Sequence, residues 1–367
     1  MKPEILSYFC TMEDPRKERR KLHSIDNIVL ISIAAVLCGA ETWNEIEDFG
    51  KSKFYWLSSI LDMPNGVPSH DTFNRFFSAL APGVFEKHFI EWTRSIIGNI
   101  NNEYVSIDGK TQRLASKLQS SNGIHIVSAW ASNNEATLGQ IKTGEKSNEI
   151  TAIPQLLDAL FIENCVVTID AMGCQKAIAE KIRKKKANYI LAVKENHPTL
   201  YEEVKSSFSL QRAVELEVPI EADHGRIEQR KYSMISNLKH ITNVADWKDC
   251  QSIVKVESTR IIKKTGEESV ESRYFIASYK DLDSISKGIR LHWGIENRLH
   301  WVLDVAMEED QSSKRAGHAA ENFSLVKKLA LNILRKDDPK ISIRRKRKIA
   351  GWDNDYLLRL IETTGKQ

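Results

Sequence analysis

The run Cys165-Val166-Val167-Thr168-Ile169-Asp170 limits the possible folds of this chain more than any other stretch. A strand that is apolar at nearly every position has no solvated face, so it belongs at the centre of a sheet covered on both sides. Tyr189 to Val193 reads the same way, and a helix over Lys176 to Lys186 separates the two. Upstream, Tyr104-Val105-Ser106-Ile107-Asp108 is another short strand. Ile124 to Ala131 and Ala136 to Lys142 read as a hairpin turning at Ser132-Asn133-Asn134-Glu135. A helix follows, in which Pro154 is expected to occupy the first turn, where a missing N–H does no harm. The predicted order is β-β-β-α-β-α-β, an α/β fold.

On both sides of this core the periodicity changes. Residues 1–98 read as a helical domain. Ser24 caps a buried helix through Gly39, Glu41 to Phe49 forms a second, and Met63 to Pro68 is a loop. Ser69 caps a helix whose Phe73, Phe76, Phe77 and Leu80 recur at i, i+3, i+4 and i+7, and Val84 to Ile97 gives one more. The polar face of the Ser69 helix carries Asn74 and Arg75, side chains able to make bidentate contacts to adenine and guanine. That face is either a DNA-reading surface or the ordinary exterior of a small bundle. Residues 197–285 turn β-rich, with Ile253 to Ile262 and Ser269 to Ser278 flanking a turn at Lys263 to Glu268. Helices return at Ile285 to about Val305 and at Ala319 to Leu334, the latter amphipathic. The expected domains are 1–98, 99–334 with an insertion at about 197–285, and a basic tail over 335–367.

Composition removes several classes of function. With 41% hydrophobic and 28% charged residues among 367, the chain is neither collagen-like nor low-complexity nor mostly disordered. The longest apolar run, Ile28 to Ala40, is too short and too interrupted to span a bilayer, so no membrane partner is expected. Met1-Lys2-Pro3-Glu4 does not introduce a secretory leader. Five scattered cysteines without a Cys-x-x-Cys pair argue against a disulfide framework or structural zinc and suit a reducing cytoplasm. The net charge is only +4, but the basic residues cluster at Arg16 to Lys21, at Lys181 to Lys186, and at Arg344-Arg345-Lys346-Arg347-Lys348. Each cluster alone reads as a solvated helix face, whereas three together favour a polyanionic partner.

Asp108 and Asp170 each end an apolar strand, where side chains face the crevice in which α/β sheets do their work. Two such carboxylates either cap loops or hold a hard cation such as magnesium or manganese. Two ions would need a third acid; Glu296, in His292-Trp293-Gly294-Ile295-Glu296-Asn297, is the candidate, with Asp304 as its rival.

Several motifs, in order, carry a family likeness: Ser106 to Thr111, Lys146 to Pro154, Thr168 to Gln175, Ala192 to Asn196, His224-Gly225-Arg226 and His292 through Asp304. Over nearly its whole length the chain resembles the DDE transposases of bacterial insertion sequences, in the subgroup of the H-repeat-associated proteins. The resemblance implies a helical N-terminal region and an RNase H-like catalytic core with a β-rich insertion. It also implies a triad of Asp108, Asp170 and Glu296 binding two Mg²⁺ or Mn²⁺ ions for phosphodiester cleavage and strand transfer. The implied partner is double-stranded DNA, bound by a protein of the bacterial cytoplasm, associated with the nucleoid, that can form a homodimer on its DNA. A DNA-binding relic without transposition, or a nuclease on the same core, are the alternative readings. The chain departs from the family's pattern at Gln112-Arg113-Leu114, where a Gly-containing segment is usual. It departs again at Ile289, His292 and Leu303, where related transposases place Tyr, Arg and Lys. His292, Asn297 and Arg298 are therefore expected to replace DNA contacts near Glu296. Lys110 and Lys194 either orient the scissile strand or are solvated, and His224 and Arg226 either touch DNA or form a β-turn. The basic tail is expected to lie exposed and to track phosphates.

Overall fold

The computed structural model describes residues 3–18, 21–112, 123–144, 149–223, 225–312, 314 and 316–362. The backbone forms two compact units: Ile100–Asp108 with Lys146–Ile295, and Met1–Asn99 with Gly109–Glu145 and Glu296–Gln367. The fold is mixed α/β, with strands β1 (Tyr104–Gln112), β2 (Ile124–Ala131), β3 (Ala136–Lys142), β4 (Val166–Ile169), β5 (Asn188–Val193), β6 (Val214–Glu217), β7 (Glu221–Asp223), β8 (Arg226–Ile235), β9 (Ser252–Ile262) and β10 (Glu268–Ala277). No helix among the described residues is long and apolar enough to cross a membrane.

In the first unit the strand order is β1-β4-β5-β10-β9-β8-β6, with β7 paired to β8. β1, β4 and β5 run parallel, as their continuous apolar character requires, and β10 joins β5 antiparallel. The residues predicted as an insertion start with a helix, Pro198–Leu210, and their strands extend the sheet from β5. The predicted hairpin is present as β9 and β10, with Gly266 supplying the left-handed residue of its turn (φ 72°). One face of the sheet is closed by the helix Leu282–Gly294, whose Leu282, Ile285 and Ile289 pack with Tyr232, Val254 and Val256. Gly288 lets that helix approach closely, since a Cβ there would stand 2.6 Å from Ile190 Cδ1 and 3.0 Å from Tyr104 Cε1. Pro154 is not in a first turn: the helix runs Glu149–Ala159 and holds the proline inside it. Prolines inside helices remove one ladder hydrogen bond and bend the axis. The sequence alone could not reveal that the helix starts so far upstream.

In the second unit, β3 pairs antiparallel with β2, which neighbours β1. The helices Ile25–Leu37, His70–Ala79 and Pro82–Ile97 gather with β3 around the helix Ala319–Lys336. Ser24 and Ser69 cap their helices as the sequence predicts; the second helix, expected over Glu41 to Phe49, runs Trp43–Ser52 and is capped by Thr42 in a full capping box with Glu45. The Ala319–Lys336 helix differs from expectation. Its pattern is that of a surface amphipathic helix, yet every residue from Ala319 to Leu334 is buried. Its polar side chains are accommodated by internal partners. Asn322 Nδ2 donates to the carbonyls of Phe77 and Leu80 at 2.8 and 2.9 Å, closing the end of the His70–Ala79 helix. Asn332 accepts from Thr137 N and donates to Thr137 O, both at 2.9 Å, standing in for a strand neighbour of β3.

The predicted basic tail is also corrected. It folds as the helices Ile343–Trp352 and Asn354–Glu362, the first capped by Ser342.

The pairing of Asn332 with Thr137 generates a stability prediction. Asn332→Leu removes both partners of a buried backbone donor and acceptor, costing about 2–4 kcal/mol, because each buried unsatisfied group costs roughly 1–3. A urea denaturation midpoint equal to that of the parent protein would show that the bidentate pair contributes nothing.

Candidate active site

The parallel pairing of β1 with β4 runs Tyr104↔Val166 through Ile107↔Ile169, so the next residues in register are Asp108 and Asp170. Neighbouring strands lie about 4.8 Å apart, which brings the two half-buried acids side by side; Asp170 follows the last residue of β4, whereas β1, expected to end at Asp108, runs on to Gln112. Asp170 Oδ1 accepts from the N–H groups of Met172 and Gly173 at 3.1 and 3.3 Å, fixing the carboxylate in an Asx-type turn. Gly173 has no substitute there: a Cβ would meet Ile169 Cγ2 at 2.3 Å and Ile153 Cδ1 at 2.9 Å. Burial raises the Asp170 carboxyl above its ordinary range. The charge of Glu149 adds to that rise, while the Gly173 and Met172 N–H groups and Lys194 oppose it. Two adjacent carboxylates in a partly desolvated place are repulsive unless a cation lies between them.

Hard oxygen donors suit Mg²⁺ or Mn²⁺, ions that take one or two carboxylates and complete their shell with water and phosphate. Among the described residues no cluster of three or more His, Cys, Asp or Glu side chains is placed to hold a metal. The aspartate pair is thus what the fold itself brings together, and its chemistry fits such an ion.

Behind the pair, Thr168 Oγ1 donates to Ser106 Oγ at 3.2 Å and lies 2.9 Å from His292 Nδ1. Burial pulls the His292 imidazole down to about 4, so it is neutral near pH 7. His292 is thus tied to Thr168 of β4 and through it to Ser106 of β1. Beside Asp170 opens a cavity of about 820 Å³, lined among others by Met172, Lys194, Tyr201, Arg273 and Tyr274. Lys194 is exposed at its edge. Arg273 stands 5.4 Å from the centre of the Trp293 ring. Neither Arg273 nor Glu149 was singled out by the sequence. Arg273 lies mid-strand with no local signal, and Glu149 lies within one of the quoted motifs but had been given no role.

Glu296 belongs to the other unit and is exposed. The sequence predicts one α-helix over this region. The structure has the helix Leu282–Gly294, a π-helical stretch Ile295–His300 that carries Glu296, and the helix Trp301–Met307. Single π turns of this kind often mark functional positions. Asp304, the rival acid, is engaged elsewhere: Lys110 Nζ lies 2.5 Å from Asp304, 3.0 Å from Glu309 and 3.2 Å from Asp310. Burial alone would raise the Glu309 carboxyl, but the charges of Lys110, Lys328 and Lys327 and a bond from Ser324 hold it at about 2.

The remaining positions divide. Asn297 is exposed; Arg298 pairs with Glu135, which also binds Arg335 at 2.7 Å. Arg226 is exposed, 3.7 Å from Glu228, while His224 lies outside the described residues. Arg75 is exposed on its helix and Asn74 accepts from Ser78 at 3.3 Å.

In the basic run, Arg344, Arg345 and Lys348 are exposed but Lys346 and Arg347 are only 2% and 6% exposed. Lys346 Nζ donates to the Leu334 carbonyl at 2.6 Å, and Arg347 reaches Val36 O at 3.0 Å, Ala306 O at 2.5 Å and Glu41 at 2.6 Å. Arg344 donates to Val305 O at 3.1 and 2.6 Å. Three of the five residues of this run are thus committed to the protein's own carbonyls and acids. The Lys181 to Lys186 cluster behaves alike, with Lys181 on Asp158, Arg183 on Asp249, Lys184 on Glu180 and Lys186 on Glu163.

Comparison with known proteins gives one consistent answer. The family described as Transposase DDE domain matches residues 102–333, and the DDE_Tnp_1-associated family matches residues 6–93. YncI of Escherichia coli O157:H7, named as a transposase, is 41% identical over 364 residues, covering 96% of this chain and 93% of that protein. YhhI of Escherichia coli strain K12, an H repeat-associated protein also named as a transposase, is 38% identical over 376 residues, covering 99% and 98%. A solved piggyBac transposase synaptic complex with hairpin DNA is a looser match, with TM-score 0.44 and 12% identity, covering 98% of this chain and 80% of that one.

Two predictions follow from this geometry. Arg347→Gln removes one of the two buried cations on Glu41, leaving Lys327, and frees the carbonyls of Val36 and Ala306; it should cost about 1–3 kcal/mol of stability. It should leave the salt dependence of DNA binding unaltered, and a flatter log–log slope in the variant would return this side chain to the DNA. For His292, the folded imidazole titrates near 4 against about 6.5 when unfolded, so between those values the unfolded chain binds more protons. Its contribution is present above about pH 6.5 and is lost as pH falls toward 4, by about 1–3 kcal/mol. Thermal midpoints from pH 7.5 to 4.5 should fall more steeply for the parent protein than for His292→Asn; parallel curves would refute the assignment.

Proposed function

The chain belongs to the DDE transposase family, and we propose that it binds the ends of an insertion sequence, cleaves them in a divalent-metal-dependent reaction and joins them to target DNA. The single observation that carries this reading is the β1–β4 register, which sets Asp108 beside Asp170 inside the segment that the family matches. An RNase H-like core is supported by the strand orders β3-β2-β1 and β1-β4-β5, which share β1.

In this reading Asp108, Asp170 and Glu296 are the acids that hold Mg²⁺ or Mn²⁺. Bound there, the ions supply Lewis-acid activation of the attacking oxygen and charge neutralisation at phosphorus. The chain's own residues do the rest. The Met172 and Gly173 N–H groups keep one oxygen of Asp170 turned into the turn, which leaves the other for the cation. Lys194 and Arg273, on the cavity beside Asp170, attract the phosphodiester chain and hold it across the acids. Neutral His292, through Thr168, keeps the two strand ends from parting under the mutual repulsion of their carboxylates. The DNA partner places the enzyme at the nucleoid of a bacterial cytoplasm, where two copies would bridge two element ends.

The test uses purified full-length protein, Mg²⁺, and DNA carrying the inverted repeats that flank its coding region. Asp170→Ala should abolish cleavage by at least about a thousandfold while end binding, read by mobility shift, stays equal or tightens. Cleavage surviving in that variant, or ends left uncut by the parent protein, would refute the proposal.

A further inference from the structure

We propose that Lys110 is a positioning residue, holding the segment that carries Glu296 through ion pairs to Asp304, Glu309 and Asp310. The inference rests on the assignment of Glu296 as the third acid. Lys110 lies on β1, two residues after Asp108, where a basic side chain would be expected to turn toward a DNA phosphate. It does not do so here. Its ammonium is surrounded by three carboxylates at 2.5, 3.0 and 3.2 Å, and its side chain is only 13% exposed.

Those carboxylates come from one short stretch of chain. Asp304 is on the helix Trp301–Met307, about two turns beyond Glu296, and Glu309 and Asp310 are on the 3₁₀ turn that follows it. Glu309 is held from its other side as well, since its Oε1 accepts from Ser324 Oγ at 2.7 Å on the buried Ala319–Lys336 helix. The end of the helix Trp301–Met307 is closed by cations: Arg344 donates to Val305 O, Arg347 to Ala306 O, and Lys327 to Met307 O at 2.5 Å. Basic groups on terminal helix carbonyls satisfy acceptors that have no helical partner and match the negative end of the helix dipole. Lys110 is the member of this arrangement that ties the segment to β1. Glu296 lies on the π-helical stretch that runs directly into the helix Trp301–Met307, so fixing that helix fixes the near end of the stretch.

The experiment compares Lys110→Met, Lys110→Arg, the charge-balanced pair K110M/E309Q and Glu296→Gln in the full chain. Mn²⁺ binding is read without DNA from the electron paramagnetic resonance signal of the unbound ion. Mg²⁺ titrations of cleavage and mobility shifts of element ends are run alongside. Removing groups that orient metal ligands costs about 10- to 100-fold in metal affinity. Lys110→Met should therefore weaken Mn²⁺ binding by about that factor and raise the Mg²⁺ needed for half-maximal cleavage in proportion, with ends bound as by the parent; Lys110→Arg should recover most of the loss. Should the unbalanced buried acids unfold Lys110→Met, K110M/E309Q removes the cation together with its most buried partner and should show the same weakened metal binding. Weaker end binding with parental Mn²⁺ affinity would overturn the proposal in favour of a phosphate contact, and parental values throughout would overturn it outright. Glu296→Gln must lose cleavage. If it cleaves as the parent does, the triad itself is wrong, whereas a parental metal curve in the Lys110 variants beside an inactive Glu296→Gln removes the positioning role alone.

Discussion

Four paired residues of β1 and β4 decide where two negative charges are placed. The parallel ladder from Tyr104↔Val166 to Ile107↔Ile169 is built from side chains that are almost all fully buried, so a slip by one residue would move each to the opposite face and undo the packing on both. The acids at its end are therefore placed by burial several residues away, not by any attraction of their own. Their mutual repulsion is tolerated because the strands beneath them are tied by the Ser106–Thr168–His292 contacts and because Gly173 allows the Asp170 turn to close against Ile169. For the cation proposed to bind there, such a pair would offer a geometry already made.

The second unit solves a different problem with charge. A helix buried from Ala319 to Leu334 carries Lys327 and Lys328, neither of which can reach water. Burial pulls Lys328 down to about 8 and pushes Glu86 up to about 8, and both are held among polar partners of β2 and β3. Lys327 has Glu41 at 2.7 Å, and Arg347 reaches the same carboxylate. Buried pairs of this kind add little net stability compared with apolar packing, but breaking one leaves a charge uncompensated. They specify one arrangement of the Ile25–Leu37, Ala319–Lys336 and Ile343–Trp352 helices where an apolar interface would permit several.

That difference explains what was legible in the sequence. Strand and helix periods are local, so the β-β-β-α-β-α-β order, the hairpin of β9 and β10 and the caps at Ser24 and Ser69 could be read directly. The place of Asp170 just after β4 was legible for the same reason, whereas β1 runs past Asp108 to Gln112, beyond the end its apolar run suggested. Charge pairing is not local. The run Arg344 to Lys348 looks like a polyanion-binding tail only while the carbonyls of Val305 and Ala306 and the carboxylate of Glu41 are out of view. Likewise Lys110 looks available until Asp304, Glu309 and Asp310, about two hundred positions later, are seen around it. Helical burial misled in the same manner, since an amphipathic pattern assumes that polar residues seek water. Asn322 and Asn332 find backbone groups instead. The π-helical stretch at Ile295–His300 has no compositional signature at all.

The two kinds of acid are thus held by unlike means, with different consequences for change by mutation. The register that pairs Asp108 with Asp170 is a property of backbone hydrogen bonds and a closed core, so single surface substitutions leave it alone. The segment bearing Glu296 is located by long side chains acting on it from outside: Lys110 on its acids, and Arg344, Arg347 and Lys327 on its last carbonyls. Exchange of any one of those side chains leaves a carbonyl or carboxylate of the segment without its partner. On the proposed triad, loss of those contacts would disturb the placement of Glu296 before it disturbed the Asp108–Asp170 register, and retention of Asp, Asp and Glu alone would be a weaker sign of activity than retention of the basic residues that fix the helix end.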